Sequence, residues 1–191
     1  SFTGGAILGD RVRMREWYNH PDVYIRSMAT RGGWGGLNPG ILEITDVMKA
    51  APFDQLIIET VGVGQTEIEI ADLADTTVVV QIPEGGDDIQ AMKAGLMEIA
   101  DIFAVNKCDR PGAEAFIKNL RGTASGQNKE VPIIKLTASR KEGISDLAEA
   151  ISRHQQQIDR MPAQQLSSVM KKAFQLILKK NMKTIDKAAL Q

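Results

Sequence analysis

Apolar residues along this chain follow two alternating rhythms: short unbroken runs, and longer stretches with helical spacing. "IFAV" (102–105) is the clearest run, four apolar residues with no polar alternation, as in a parallel strand covered on both faces. "DTTVVVQIP" (75–83) is rich in β-branched residues, "DQLIIET" (54–60) stops at the glycine-rich "VGVGQ", and "VPIIKLTAS" (131–139) follows a polar loop over 125–130. These four segments predict strands. Between them the spacing predicts helices: one over 39 to about 51, entered through Asn38-Pro39, one through "IQAMKAGLMEIA" and one through "AEAFIKNLR". A further helix is expected through "ISDLAEAISRHQQQI", with Ile144, Leu147, Ala148 and Ile151 on its apolar side. Strands alternating with helices predict an α/β fold, a three-layer and mostly parallel sheet.

The pattern changes from Pro162 onward. Leu166, Val169, Met170, Ala173, Phe174, Ile177 and Leu178 recur at three- and four-residue steps, the stripe of a long amphipathic helix. Lys171, Lys172, Lys179, Lys180, Lys183 and Lys187 give it a basic outer face. Such a helix either packs on the sheet with its lysines solvated or forms an arm against another protomer or partner. The expected organisation is therefore an α/β domain over 1–160 and a helical arm over 161–191.

Composition narrows the function classes. A chain of 191 residues, 43% hydrophobic, has room for one sizeable core. A formal net charge of -1 gives no overall electrostatic case for nucleic acid or an anionic membrane as partner. No apolar run approaches the ~18 residues of a membrane-spanning helix, and no signal peptide opens the chain. The single cysteine, Cys108, precludes an intrachain disulfide; with only His20 and His154 beside it, a structural zinc site is not expected. Cytoplasm or a reducing organelle matrix is the expected location.

In open parallel sheets, ligands sit beyond the carboxyl ends of the strands. The residues placed there after "IFAV" are Asn106, Lys107 and Asp109. Guanine carries donors at N1 and at its exocyclic N2, which one carboxylate accepts in bidentate fashion; adenine offers no such pair. Asp109 can supply that carboxylate, Asn106 can bond the N7/O6 side or brace a loop, and the Lys107 stem can lie along the base or sugar. Thr137, Ala138 and Ser139 occupy the next loop along, where backbone N–H groups can reach guanine O6. Alone, Asn-Lys-x-Asp also fits a plain strand-to-helix turn; the apolar strand before it and the second strand ending in "LTAS" favour a guanine site.

"IIETVGVGQTE" adds hydrolytic chemistry. Glu59, at the end of an apolar run, suits a magnesium–water site, and Gly62 allows its N–H close approach to a γ-phosphate because no Cβ intervenes. Gln65 can orient an attacking water. The plainer alternative makes Glu59 a solvated strand-end acid and the glycines a turn. Asp10 is a second candidate magnesium ligand, with Arg11 and Arg13 either on phosphates or in solvent. The glycine pairs in "RGGWGGLNPG" and "PEGGDD" suggest mobile segments, and neither precedes the Lys-Ser/Thr of a phosphate-binding loop.

Taken together, "FTGGAILGDRVRM", "VYIRSMATRG", "IIETVGVGQTEIEIADLADTTVVV" and "GGDDIQAMKAGLMEIADIFAVNKCDRPGA" resemble the G-protein chaperones of adenosylcobalamin-dependent acyl-CoA mutases, the MeaB/ArgK family, over roughly residues 2 to 160. The resemblance implies a P-loop NTPase-like G domain of the SIMIBI class, dimeric, using GTP/GDP and Mg2+. It implies coupling of GTP binding and hydrolysis to cofactor loading and protection of methylmalonyl-CoA mutase or a related mutase. On the same ground Asn106, Lys107 and Asp109 become the base readers, Glu59 the acid of the magnesium site, and Asp10 a magnesium ligand or switch residue. Segment 83–95, with Asp87, Gln90 and Lys93, corresponds to the family's additional switch loop, and the Lys-rich terminal helix to its dimerisation region.

One departure is large. The family places a Gly-x-x-Gly-x-Gly-Lys-Ser/Thr loop before the segment that opens this chain, so we expect a fragment of a longer GTPase, itself weakly active or inactive. Three alternatives stand beside this reading. A nickel-insertion GTPase would want a richer set of cysteine or histidine ligands. A non-enzymatic partner-binding module would need only the sheet, switch segment and basic helix. A transport-system ATPase or kinase of the lysine/arginine/ornithine type, an older label in the family, has no supporting residue pattern.

Overall fold

The computed structural model describes residues 14–29, 38, 40–60, 71, 73–83, 94–124 and 130–159. They belong to two compact units, 1–70 and 71–191.

In the first unit the main element is helix α1, Ile41–Lys49. It begins later than the sequence predicts. Asn38 does not cap the helix itself: its Oδ1 accepts the Gly40 N–H at 2.8 Å and its carbonyl accepts Ile41 N–H at 2.9 Å. This turn feeds the chain into the helix, and Gly40 takes the N-cap position. A single 3-10 turn, Arg15–Trp17, precedes it.

Residues 54–60, expected as a strand, form no sheet ladder among the described residues. Leu56 is 37% and Ile57 87% exposed, so the segment buries neither. β-branched composition supplies only a preference; a strand needs a neighbour to take its backbone bonds, and no described residue provides one.

The second unit is built on three parallel strands, β1 (Val78–Gln81), β2 (Ile102–Val105) and β3 (Ile133–Lys135), in that spatial order. The register pairs Val79 with Phe103 and Phe103 with Ile133. Parallel neighbours need crossovers, and helices provide them: α2 (Ala94–Ile99) lies between β1 and β2 in sequence, and α3 (Ala113–Ala124) between β2 and β3. Helix α4 (Ile144–Asp159) follows β3. This is the expected α/β architecture, with β1 and β3 shorter than their apolar runs.

β2 is central, and all four of its side chains are fully buried. Phe103 and Val105 join Val79, Met97, Phe116, Ile117, Leu120 and Val131 in one core beneath α2 and α3. Ile102 and Ala104 alternate to the other face, where α4 packs against β2. Cover on both faces explains the absence of polar alternation in the sequence. Each such large apolar side chain, fully buried, contributes about 1.5–3 kcal/mol.

The packed face of α4 is rotated from the predicted one. Leu147, Ala150, Ile151, His154 and Ile158 are covered to varying degrees, whereas Ile144 and Ala148 are exposed. The cause is His154, which occupies an inward position because polar partners meet it there. Its Nδ1 is 2.9 Å from Thr76 Oγ1 and its Nε2 is 3.2 Å from Asp101 Oδ1. Asp101 Oδ2 in turn accepts the Thr77 N–H at 2.9 Å. The cluster ties α4 to the starts of β1 and β2. The terminal arm expected over 161–191 lies outside the described residues.

Candidate nucleotide site

At the carboxyl end of β2 the ladder continues for one residue before the chain turns. Asn106 N–H donates to Gln81 O at 2.8 Å, and on the other side Leu136 N–H donates to Val105 O at 2.7 Å. The backbone then turns sharply: Lys107 has φ of 59°, a left-handed conformation that costs a non-glycine residue about 1–3 kcal/mol. Asn106 supports this turn by accepting the Lys107 N–H on its own Oδ1 at 2.8 Å. Cys108 fastens it from below, with N–H to Leu136 O at 2.9 Å and Sγ–H to Val105 O at 3.1 Å. Arg110 N–H closes the turn on Lys107 O at 3.1 Å, and Gly112, with φ of 89°, leads into α3.

The loop after β3 is equally constrained. Thr137, 4% exposed, forms a two-bond antiparallel bridge with Glu142: Thr137 N–H to Glu142 O at 3.1 Å and Glu142 N–H to Thr137 O at 3.3 Å. Between them Ala138–Arg140 makes a single 3-10 turn that ends on Lys141, with φ of 60°. Gly143 completes the return with φ of 75°, and a Cβ there would lie 2.0 Å from the Lys135 carbonyl oxygen. Only glycine fits that approach. The result is a tight hairpin that displays Ala138 and Ser139 to solvent while Thr137 stays inside.

Two further links join these loops. Ala138 N–H donates to Asn106 Oδ1 at 3.1 Å, and Arg140 Nη2 lies 3.6 Å from Asp109 Oδ2. Asn106, Lys107, Asp109, Thr137, Ala138 and Ser139, which the sequence reading assigned to one base-binding site, therefore sit on two adjacent, mutually bonded loops. One detail differs from expectation. The Ala138 N–H is engaged by Asn106 and is not free for a base. Asn106 uses its Oδ1 on two backbone donors, so what it retains for a ligand is the Nδ2 donor pair.

Of the hydrolytic candidates, only Glu59 lies within the described residues. Glu59 is exposed on the ladder-free segment of the first unit. Asp10, Gly62, Gln65, Asp87, Gln90 and Lys93 lie outside the described residues, as do Arg11, Arg13 and Trp34. Among the described residues, no three histidine, cysteine, aspartate or glutamate side chains form a metal-holding group.

Sequence reasoning missed Arg140, Glu142 and Gly143. Their signal was present in "SRKEG", a polar turn ending in glycine directly before a helix, but nothing local says that the turn folds back onto the preceding strand. It also missed the Thr76–His154–Asp101 cluster, whose members are up to 78 residues apart.

A parallel α/β sheet with two bonded loops at the carboxyl ends of its strands fits a nucleotide-binding domain of the P-loop NTPase-like class. Comparison with known proteins places the chain further. It belongs to the family described as methylmalonyl Co-A mutase-associated GTPase MeaB, matched over residues 1–189. A putative GTPase of Pyrococcus abyssi is 46% identical over 83% of this chain and 51% of its own length. The GTPase ArgK of Escherichia coli is 44% identical over 56% of this chain and 32% of its own length. A mitochondrial methylmalonic aciduria type A homolog of Caenorhabditis elegans is 42% identical over 57% of this chain and 27% of its own length. The chain spans about half the length of the curated relatives that it matches over most of its residues.

Proposed function

We propose that the protein carrying this chain binds and hydrolyses GTP, and that it uses the nucleotide cycle to control cofactor loading and protection of an adenosylcobalamin-dependent acyl-CoA mutase such as methylmalonyl-CoA mutase. Membership of a GTPase family named for its association with that mutase supports both halves of the reading. The observation that carries the nucleotide half is the Asn106–Ala138 link, which holds the Asn-Lys-x-Asp turn against the Thr137–Ser139 loop.

In this reading Asp109 accepts guanine N1–H and N2–H, and Asn106 Nδ2 donates to N7. The Lys107 stem lies along the base. Ser139 offers a backbone N–H to O6, since that of Ala138 is engaged; Thr137 holds the loop from within. A site made of such bonds rejects a base that leaves them unmet by roughly 10⁴-fold or more. Gly62 and Gln65 serve the γ-phosphate and the attacking water. Mg2+ would be held through Glu59 and Asp10, whose hard carboxylate oxygens suit it, and would neutralise phosphate charge. Asp87, Gln90 and Lys93 report nucleotide state to the mutase. The protein works as a homodimer through its 161–191 arm, in the cytoplasm or the mitochondrial matrix.

The test is a calorimetric titration of the intact protein with GDP, ADP and Mg2+, followed by phosphate release from GTP with and without the mutase. Equal affinity for GDP and ADP would sink the guanine reading. GTP turnover that ignores the mutase would sink the chaperone reading alone.

A further inference from the structure

The ion pair between Arg140 and Asp109 joins a cation on the β3 loop to the carboxylate assigned above to reading guanine. At 3.6 Å the contact is longer than a hydrogen bond, so the lone pairs of Oδ2 stay available to another donor. The Asp109 side chain is 31% exposed and would otherwise turn about its terminal torsion, which is broad and weakly restrained in aspartate. A bidentate reader cannot have that freedom: both oxygens must lie in the plane of the base edge when N1–H and N2–H arrive together.

Arg140 is itself placed by backbone. It is the last residue of the 3-10 turn, with N–H to Thr137 O at 2.9 Å, and Thr137 is pinned by its bridge to Glu142. The Arg140 backbone is therefore fixed relative to the Asn106–Ala138 link, and the side chain reaches Asp109 from there. Its side chain is 61% exposed, which keeps the strength of the pair modest and makes it sensitive to salt.

We infer that Arg140 is a positioning residue for guanine specificity: it holds the Asp109 carboxylate oriented for two-point recognition of a base with adjacent N1–H and N2–H donors. The inference rests on the guanine reading of Asp109. Arg140 need not touch the nucleotide. A base with only one of the two donors, such as hypoxanthine, can be met by the carboxylate at many torsion angles and depends on Arg140 much less.

The experiment is a set of titrations of the intact protein and its Arg140→Gln and Arg140→Lys variants with GDP, IDP and ADP, at low and high salt. Thermal melts of each variant would establish folding. Arg140→Gln is expected to lower the GDP-to-IDP affinity ratio about two- to fivefold, the scale of an exposed ion pair. Arg140→Lys should restore most of the ratio, and high salt should erode it in the wild type but not in Arg140→Gln. An unchanged ratio in Arg140→Gln would overturn the inference while leaving the guanine reading intact. So would an equal loss for GDP and IDP, or tighter GDP binding. A wild type that does not prefer GDP to ADP would overturn the guanine reading and this inference with it.

Discussion

Asn106 accepts the backbone N–H of Ala138 at 3.1 Å, joining two loops 32 residues apart in sequence. The same oxygen accepts the Lys107 N–H, so one side-chain atom sets both the turn after β2 and its spacing from the loop after β3. Replacing Asn106 by Ala removes the acceptor of both backbone donors, at a cost of about 0.5–1.5 kcal/mol of stability per bond. Asn106→Asp keeps the acceptor but removes the Nδ2 donors. Urea denaturation should show Ala destabilised and Asp closer to wild type, while calorimetry should show GDP binding weakened about tenfold or more in both.

Asp109→Asn should change which base is preferred. The amide retains one acceptor and presents an NH2 group, which repels the guanine N2 amino group and suits the C2 carbonyl of xanthine. Hydrogen bonds to a charged group are worth about 1.5–3 kcal/mol, so GDP affinity should fall roughly tenfold to a hundredfold per lost bond. Competition between GDP and XDP reads the change directly.

Gly143→Ala tests the hairpin. The added Cβ would meet the Lys135 carbonyl at 2.0 Å, and alanine disfavours φ of 75°. The left-handed conformation alone costs about 1 kcal/mol or more, and relief of the clash must open the Thr137–Glu142 bridge. A lowered melting temperature together with weaker GDP binding is expected; lowered stability with unaltered binding would show that the hairpin does not set the loop.

His154→Ala tests the opposite end of the sheet. It removes one partner of Thr76 Oγ1 and one of Asp101 Oδ1, two groups at the starts of β1 and β2. Loss of such polar contacts is worth about 0.5–1.5 kcal/mol each, or several degrees of melting temperature together. Guanine selectivity should not change, because the loops that read the base leave from the other ends of the strands.

Leu120→Ala addresses the core beneath α3. Leu120 is fully buried against the Phe103 cluster, and its truncation should cost about 2–5 kcal/mol in chemical denaturation, with the range set by how far the cavity collapses.

Legibility in the sequence followed the locality of the cause. β2 was readable to the residue because a strand covered on both faces has only apolar positions, and α4 because its spacing runs through sixteen residues. Segment 54–60 has no ladder among the described residues, since β-branched composition says nothing about whether a neighbouring strand is there to pair with it. The buried face of α4 was misjudged because an apolar count treats His154 as an outward residue, whereas Thr76 and Asp101 make an inward histidine favourable.

The sequence by itself determined the alternation of strands and helices, the Asn-Lys-x-Asp turn, and the position of that turn at a strand end. Those features depend on side-chain patterns within a few residues of one another. Tertiary structure alone decided that Asn106 bonds Ala138, that Arg140 faces Asp109, and that Gly143 lies against the Lys135 carbonyl. The first two are contacts between loops brought together by parallel pairing of β2 with β3, and the third is the β3 loop folding back on its own strand; none can be read from residues adjacent in sequence.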